Sequence, residues 1–478
     1  MVGERAVSLA ELFAVLGPSA TLRGVTEEQA ALQLIRGVTH DSRRVEGDWL
    51  FCCVPGSNVD GHGFAEQAVS QGATALLVEH PLAIDLPQIE VDNVRRAMAR
   101  VADAFWGRPS RQLSVIGITG TNGKTTVSYM LAAILRAAGR RTEVLGTLSG
   151  ARTTPESTDL QATLAAFLEA GVEAVAMEVS SHALELHRVD GVWFQTVVFT
   201  NLTPDHLDFH PTMEKYFQAK ARLFEPQFSQ AAVVNLDDPH GRLLRDAALV
   251  STVGYELAEV NGVEFTATGT RFVWRGHPMV LPLAGRHNLS NALAAATVAE
   301  QLGLGADLVQ AGLANLEPVP GRFESIDAGQ PFDVVVDYAH TPDALGQVLE
   351  SARGMIAPGN RVLVVFGCGG NRDQSKRATM GEVASRLADV VVITNDNPRG
   401  ETPLEIIEQV RSGAVAGAEV VVEADRRAAI AVAFERAQPG DIVVLAGKGH
   451  ETSQVFAERT IAFDDRVVAR ELLTACSQ

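Results

Sequence analysis

Short apolar runs alternate with stretches of helical periodicity along most of this chain. Residues 113–118 read as a buried strand, the polar glycine-bearing segment after them as a tight loop, and residues 125–139 as a helix. Upstream, residues 48–54 and 73–79 read as strands around a helix at 63–72. Downstream, a helix at 160–170 precedes a strand at 174–179, and a strand at 196–202 precedes a helix at 212–224. Residues 263–283 alternate apolar and polar positions around Gly276 and predict antiparallel strands, with a long helix following. The last third is the most regular, with strands at 333–336, 362–366, 390–394, 419–422 and 442–445 and apolar-periodic helices between them. Strand–helix alternation of this kind predicts parallel sheets with crossover helices. The 478 residues suffice for about three domains of roughly 150 residues each. A turn-rich link at 107–110 and the restart near residue 331 place the expected boundaries, giving units 1–107, 108–328 and 329–478.

The loop after the strand at 113–118 carries the clearest chemistry. In IGITGTNGKTT (116–126), Gly120 and Gly123 let the main chain approach a ligand, so that the N–H groups of Thr121 and Asn122 can face phosphate oxygens. Lys124 then reaches the outer phosphates, and the Thr125 hydroxyl, followed by Thr126, meets the accompanying Mg²⁺. The usual G-x-x-x-x-G-K-[ST] pattern asks for glycine where Ile118 stands, so a special subclass of loop is expected; an ordinary glycine turn is the alternative.

Two further strand ends, MEVSSHALELHRVDG and TNLTPDHLDFH, bring Glu178, Ser180, His182, Arg188, Asn201, Asp205, His206, Asp208 and His210 toward the same sheet edge, where open α/β sheets bind ligands. Glu178 and His206 are candidate magnesium ligands, and for either alone a structural role is equally open. Lys220, on a helix, reads by itself as a solvated lysine. Asn288 and Asn291 sit three apart at a helix head, where they can face one ligand or cap the helix. The loops around His40 and at 55–64 can hold a ligand or simply turn. Four strands of the last unit run into unusual loops: DYAHTPD, GCGGNRD, NDNPRGETP and AGKGHE. The GCGG fragment lacks the acidic residue that a dinucleotide fingerprint requires.

A net charge of −18 argues against nucleic acid or an anionic membrane as partner. No segment reaches about 18 uninterrupted apolar residues, and acidic residues interrupt the N-terminal apolar stretch, so a soluble, unexported cytoplasmic protein without membrane insertion is expected. Cys52, Cys53, Cys368 and Cys476 have neither disulfide-framework count nor metal-ligand spacing.

Taken in order, TGTNGKTT, EVSSH, TNLTPDHLDFH, the helix lysine, the HNxxN pair, PGRFE, DYAHTPD, DNPR and GKGHE resemble the Mur ligases, ATP-dependent enzymes that lengthen the peptide of the UDP-linked cell-wall precursor. Within that family the chain is similar to the MurE type, which adds the third amino acid. The resemblance implies an α/β fold of three domains: a small N-terminal α/β domain for the uridine nucleotide, a central P-loop mononucleotide-binding parallel sheet for ATP, and a C-terminal Rossmann-like doubly wound sheet for ADP and the incoming amino acid. It implies ATP and Mg²⁺, small-molecule partners only, and a monomer. By the same resemblance His40, Ser42, Ser57, Asn58 and Val59 contact the UDP-sugar, and Thr153, Thr154, Ser180 and Arg188 hold the muramoyl-dipeptide. Leu186 stands where some members have Gln. Asn291, Arg322 and Asp337 serve the nucleotide. Lys124, Lys220 and His206 are the implied catalytic groups, Lys220 as a carbamate that shares a second magnesium with His206. Arg372, Asp396, Asn397, Pro398, Arg399, Gly447 and Glu451 are implied to hold the amino acid, with DNPR marking diaminopimelate rather than lysine. Rival readings are a lysine-adding ligase of the same type, a folylpolyglutamate-synthase-like ligase, and an ATPase switch.

Overall fold

The computed structural model describes residues 5–56, 59–150, 152–266 and 269–476. Three α/β units follow one another. In the first, a five-stranded sheet has the order Thr21–Arg23, Gln88–Glu90, Ala73–Val78, Trp49–Cys52, Gly37–Thr39, parallel except at its first pair. Its apolar face (Leu50, Cys52, Leu77, Ile89) packs on helix Val94–Phe105 through Met98, Val101 and Phe105. The helix expected at 63–72 is shorter: a 3₁₀ turn, Gly61–Phe64, capped by Asp60, precedes helix Ala65–Ser70.

The second unit is a six-stranded, wholly parallel sheet in the order Ser251–Tyr255, Ser229–Asn235, Phe194–Phe199, Ser114–Thr119, Ala174–Glu178, Thr142–Leu145. The chain starts in the middle, at Ser114–Thr119, moves to one side and then crosses to the other. The C-terminal end of that strand is therefore the switch point, where neighbouring crossovers diverge and leave a crevice. Helix Lys124–Ala137 leaves it and packs against the alanine-rich helix Arg286–Gln301, whose Ala292, Ala294, Ala295 and Ala299 are fully buried. Small side chains here bring the two helices, and so Asn291 and the phosphate loop, close together. Residues 263–283 form the expected antiparallel strands, Val260–Thr266, Gly269–Trp274 and His277–Leu281.

The third unit has strand order Glu324–Ser325, Asp333–Asp337, Ile442–Ala446, Val362–Phe366, Val390–Ile393, Glu419–Val422, parallel except for the first pair. Separate apolar clusters cover its two faces, as a doubly wound sheet requires. All five expected strands of this unit are present within a residue of their predicted ends.

Candidate active site

A cleft of about 190 Å³ lies between the switch point of the second sheet and the strand ends of the third. One wall is the phosphate loop, residues 121–126, with Thr147, Thr153, Glu178, Ser180, Asp205 and His206. The other carries Arg322, Asp337, Tyr338 and His340. A neighbouring cavity of about 560 Å³ shares Asn122, Gly123, His287 and Asn291 with it.

The loop departs from the common pattern for a physical reason. Ile118 is fully buried inside the strand, paired with Glu178 and Val198, so the turn begins only at Gly120. Gly120 has φ +150° and Gly123 φ +87°, both costly for other residues. A Cβ on Gly120 would lie 1.9 Å from Thr200 Oγ1, and one on Gly123 2.4 Å from Asn291 Oδ1. Asn201 clamps the loop from the adjacent strand end, accepting from Asn122 N at 2.9 Å, while its own backbone carbonyl accepts from Thr121 N at 2.9 Å. Gly123→Ala is accordingly expected to raise the KM for ATP by roughly 10-fold or more, since strain and overlap of this size cost about 1–3 kcal/mol; a KM within twofold of the parent would show that the loop is not held this way.

Two lysines converge on one carbonyl. Lys124 Nζ donates to Gly120 O at 2.9 Å and to Thr121 O at 2.8 Å, and Lys220 Nζ donates to the same Gly120 O at 2.8 Å. Lys220 is not the solvated lysine its sequence context suggests. Its side chain is buried, lies over the Tyr216 ring and sits behind the loop rather than lining the cleft. Burial, with the Lys124 charge adding to it, pulls the Lys220 amine well below the usual lysine range. Burial also lowers Lys124, against the pull of Glu178 and Asp205.

Of the strand-end residues expected at this edge, Glu178, Ser180, Asp205 and His206 line the cleft, and Asn201 lines the adjoining cavity. His182 stands edge-on to His206 and stacked on Phe209, while His210 stacks on Tyr216. His206 is in the left-handed region at φ +56°, and burial holds its imidazole neutral. Arg188 turns away from the cleft to Glu156 at 2.8 Å and to Thr154 O at 3.2 Å. Thr154 is buried, its hydroxyl donating to Glu178 O at 2.9 Å, whereas Thr153 faces the cleft. Ser180 caps helix Ser181–Glu185, which ends at Leu186.

Neither Asn288 nor Asn291 is the helix cap; that position is Gly285. Asn288 donates to Ala284 O at 2.8 Å, and both amides line the cleft. Arg322 Nη2 donates to Thr125 Oγ1 at 3.0 Å, and its guanidinium lies over the Tyr338 ring of the third unit. Asp337 accepts from Phe323 N at 2.7 Å and Ala339 N at 2.8 Å, so its carboxylate also fixes the linker beside Arg322. Tyr338 under Arg322, and His340, Thr147 and Gln347, were not anticipated. The DYAHTPD loop was the available signal for the first two.

The first unit abuts the second at His40, whose Nδ1 lies 2.8 Å from Thr158 Oγ1. Ser42 is buried on Gln67, and Val59 is exposed. Ser57 and Asn58 lie outside the described residues.

In the third unit, Asn397 Nδ2 donates to Glu451 Oε2 at 2.8 Å. Arg399, at φ +51°, donates through Nη1 to Gly370 O at 2.9 Å and through its backbone to Val455 O at 2.9 Å. Asp396 and Pro398 are buried, with Asp396 Oδ2 against Gly447; Arg372 is exposed.

Thr125 and Glu178 offer hard oxygen donors on one wall, which fits Mg²⁺ beside a polyphosphate. Glu178 is held in place by Thr147, whose N–H and hydroxyl donate to its two oxygens at 2.9 and 3.1 Å. Among the described residues no cluster of three His, Cys, Asp or Glu gathers. Mg²⁺ beside phosphates needs only one or two protein carboxylates.

A phosphate loop at the switch point of one parallel sheet, faced by the strand ends of a second, defines a multi-unit nucleotide-binding protein of the P-loop class. Residues 34–106 match the Mur ligase family, catalytic domain, residues 118–299 the Mur ligase middle domain, and residues 321–449 the Mur ligase, glutamate ligase domain. The chain is 46% identical over 460 residues to a UDP-N-acetylmuramoyl-L-alanyl-D-glutamate--2,6-diaminopimelate ligase of Geobacillus kaustophilus (strain HTA426), covering 90% of this chain and 93% of that one. A solved structure of a ligase of the same name superposes with a TM-score of 0.69 at 33% identity, covering 99% of this chain and 100% of that one. MurF from Acinetobacter baumannii shares the fold, with a TM-score of 0.67 at 21% identity over 98% of each chain. The chain belongs to the Mur ligase family.

Proposed function

We propose that the chain is an ATP-dependent ligase that joins meso-diaminopimelate to UDP-N-acetylmuramoyl-L-alanyl-D-glutamate, a step of peptidoglycan precursor synthesis, with release of ADP and phosphate. A carboxylate is a poor electrophile, so its oxygen first takes the γ-phosphoryl group of ATP to give an acyl phosphate. The amine of the amino acid then attacks the acyl carbon and phosphate leaves. Lys124 and the loop N–H groups hold the phosphoryl oxygens while their charge spreads. Mg²⁺, when bound through Thr125 and Glu178, neutralises charge on the same oxygens. Arg322, on the segment that leads into the third unit, stacks on Tyr338 of that unit and donates to the phosphate loop, and so links nucleotide binding to closure of the cleft, which keeps water from the acyl phosphate. Residues 1–107 serve the UDP-sugar, 108–328 ATP, and 329–478 the amino acid and ADP. The large cavity bearing Asn291 is the natural place for the base of the nucleotide. No helix among the described residues is long and apolar enough to cross a membrane. We take the enzyme to work as a monomer, in the cytoplasm, where ATP and a UDP-linked substrate would be met.

The observation that carries the choice of amino acid is the joining of the DNPR and GKGHE loops, Asn397 to Glu451 at 2.8 Å, beside Arg399, whose Nη1 is tied to Gly370. Among the described residues the rest of the guanidinium fork has no hydrogen-bond acceptor, which supports its pairing with a ligand carboxylate. Diaminopimelate carries a second carboxylate at its far end and can take two parallel hydrogen bonds from it; lysine offers only a like charge there. A site built round such a contact rejects the analogue lacking it by roughly 10⁴-fold. In competition on the parent enzyme, diaminopimelate is expected to be used almost exclusively, and Arg399→Ala to raise its KM steeply with ATP and the UDP-substrate unaffected. Equal or better use of lysine would overturn the amino-acid assignment, and phosphate release independent of any amino acid would overturn the ligase reading in favour of an ATPase switch.

A further inference from the structure

Lysine is rarely buried without a partner, yet Lys448, in the middle of GKGHE, is fully inaccessible to solvent. Its Nζ has one acceptor for each of its N–H bonds: Glu451 Oε2 at 2.9 Å, Ser453 O at 2.7 Å and, more weakly, Asn397 Oδ1 at 3.4 Å. Two of these three belong to residues assigned above to the incoming amino acid. The third lies in strand Ser453–Val455, where Val455 donates to Asn397 Oδ1 at 2.9 Å and accepts from Arg399 N at 2.9 Å. One buried cation thus stands where the DNPR loop, the GKGHE loop and this strand meet. A side chain needed only to fill space there would be apolar, because burying a charge costs far more than burying a methylene chain.

We propose that Lys448 is a positioning residue for the incoming amino acid: its ammonium fixes Glu451 and Asn397 so that Glu451 presents its second oxygen to the amino acid's ammonium group. This rests on the reading that these loops hold the amino acid. Both Lys448 and Asn397 bind Oε2, and among the described residues Oε1 has no protein donor, while the Glu451 side chain remains 29% exposed. A salt-bridged carboxylate with one oxygen held and one open is a directed acceptor. Burial pushes the Glu451 carboxyl up, but the Lys448 charge and its hydrogen bond, with that of Asn397, outweigh it and leave the group below the usual carboxylate range. The other charged or titratable groups facing Glu451 are His450 beside it, Tyr338 and Asp396 at neighbouring strand ends, and Arg426 from helix Arg426–Arg436. Lys448 is the cation in contact with it.

The test compares the parent with Lys448→Met, Glu451→Gln and the double variant in steady-state kinetics for meso-diaminopimelate, ATP and the UDP-substrate. Lys448→Met is expected to raise the KM for diaminopimelate by about 10- to 100-fold, the range for losing a charged hydrogen bond, with kcat and the other two KM values within a few-fold. The acid limb of kcat/KM for diaminopimelate should move to higher pH as Glu451 loses its cation. In the double variant the two effects should not multiply, since Lys448 acts through Glu451. An unshifted acid limb, an equal rise in the KM for ATP, or effects that multiply would overturn the positioning role. If Lys448→Met does not fold, the double variant, which leaves no unpaired buried charge, decides: a KM matching Glu451→Gln supports the proposal and a further tenfold rise overturns it. Unchanged diaminopimelate KM in Glu451→Gln would instead show that the loops were misassigned, and the positioning role would fall with them.

Discussion

Replacing Lys124 with alanine is expected to lower kcat by roughly 10³-fold or more and to leave the protein folded. The side chain reaches over its own loop to the carbonyls of Gly120 and Thr121 and lines the cleft, so it is already aimed where a γ-phosphoryl group would sit. Burial weakens its hold on the proton, but Glu178 and Asp205 work against that. A polyphosphate entering the cleft would add negative charge and strengthen the protonated form, so the cation is fully present when charge spreads over the phosphoryl oxygens. Removing it costs no apolar packing: the core under the loop is made by Val127, Met130 and Leu131 of the helix. The loop's remaining ties, from Asn201 and Thr203, do not involve Lys124. Single-turnover phosphate transfer and thermal unfolding on the same preparation check this. Turnover within a few-fold of the parent, in a variant with unchanged unfolding, would remove the phosphate-loop assignment.

Much of this architecture is legible in the sequence because parallel strands covered on both faces read as unbroken apolar runs. Val362–Phe366 and Ile442–Ala446 are buried at every position and were placed almost to the residue. The flanking strands of the second sheet, Thr142–Leu145 and Ser251–Tyr255, mix exposed and buried residues and give no such run. Helix Val94–Phe105 does carry a signal, an Asn93 cap before an apolar stripe. In the site, Lys124, Glu178 and His206, read from the phosphate loop and the strand ends, share one cleft with Asn291, from the helix-head pair, and with Arg322 and Asp337, which only the family resemblance pointed to. What could not be read is direction. Arg188 lies on the expected loop yet points into Glu156, which also pairs with Arg95 and Arg152. Lys220 and Lys448 look like solvated lysines in a string of letters, and only packing against distant elements shows them buried. Sequence periodicity reports which face of an element is apolar; it does not report which polar groups another unit will bring against it.

Lys220→Ala is expected to lose nearly all activity and to regain part of it when a small carboxylate such as acetate or formate is added. The physical case begins with Gly120 O, which accepts from both Lys220 and Lys124. Burial makes charge on Lys220 costly, and the second ammonium group on the same carbonyl adds to it, so this amine is held toward its neutral form. A neutral amine is the species that takes up carbon dioxide. Carbamylation would turn the repelling pair into an attracting one, placing a carboxylate-like group beside the Lys124 cation. It would also exchange a nitrogen donor for oxygen donors, the kind Mg²⁺ prefers. The neighbouring His206, neutral through burial, could share that ion without competing for charge. Alanine leaves a space behind the loop of about the size of the lost carbamate arm, and a free carboxylate entering it would restore the negative charge without the covalent link. The rescue should saturate with acetate concentration and be absent in Lys124→Ala, where the missing group is a cation. Activity of Lys220→Ala near that of the parent, with no added carboxylate, would show that the buried amine serves only to hold the loop.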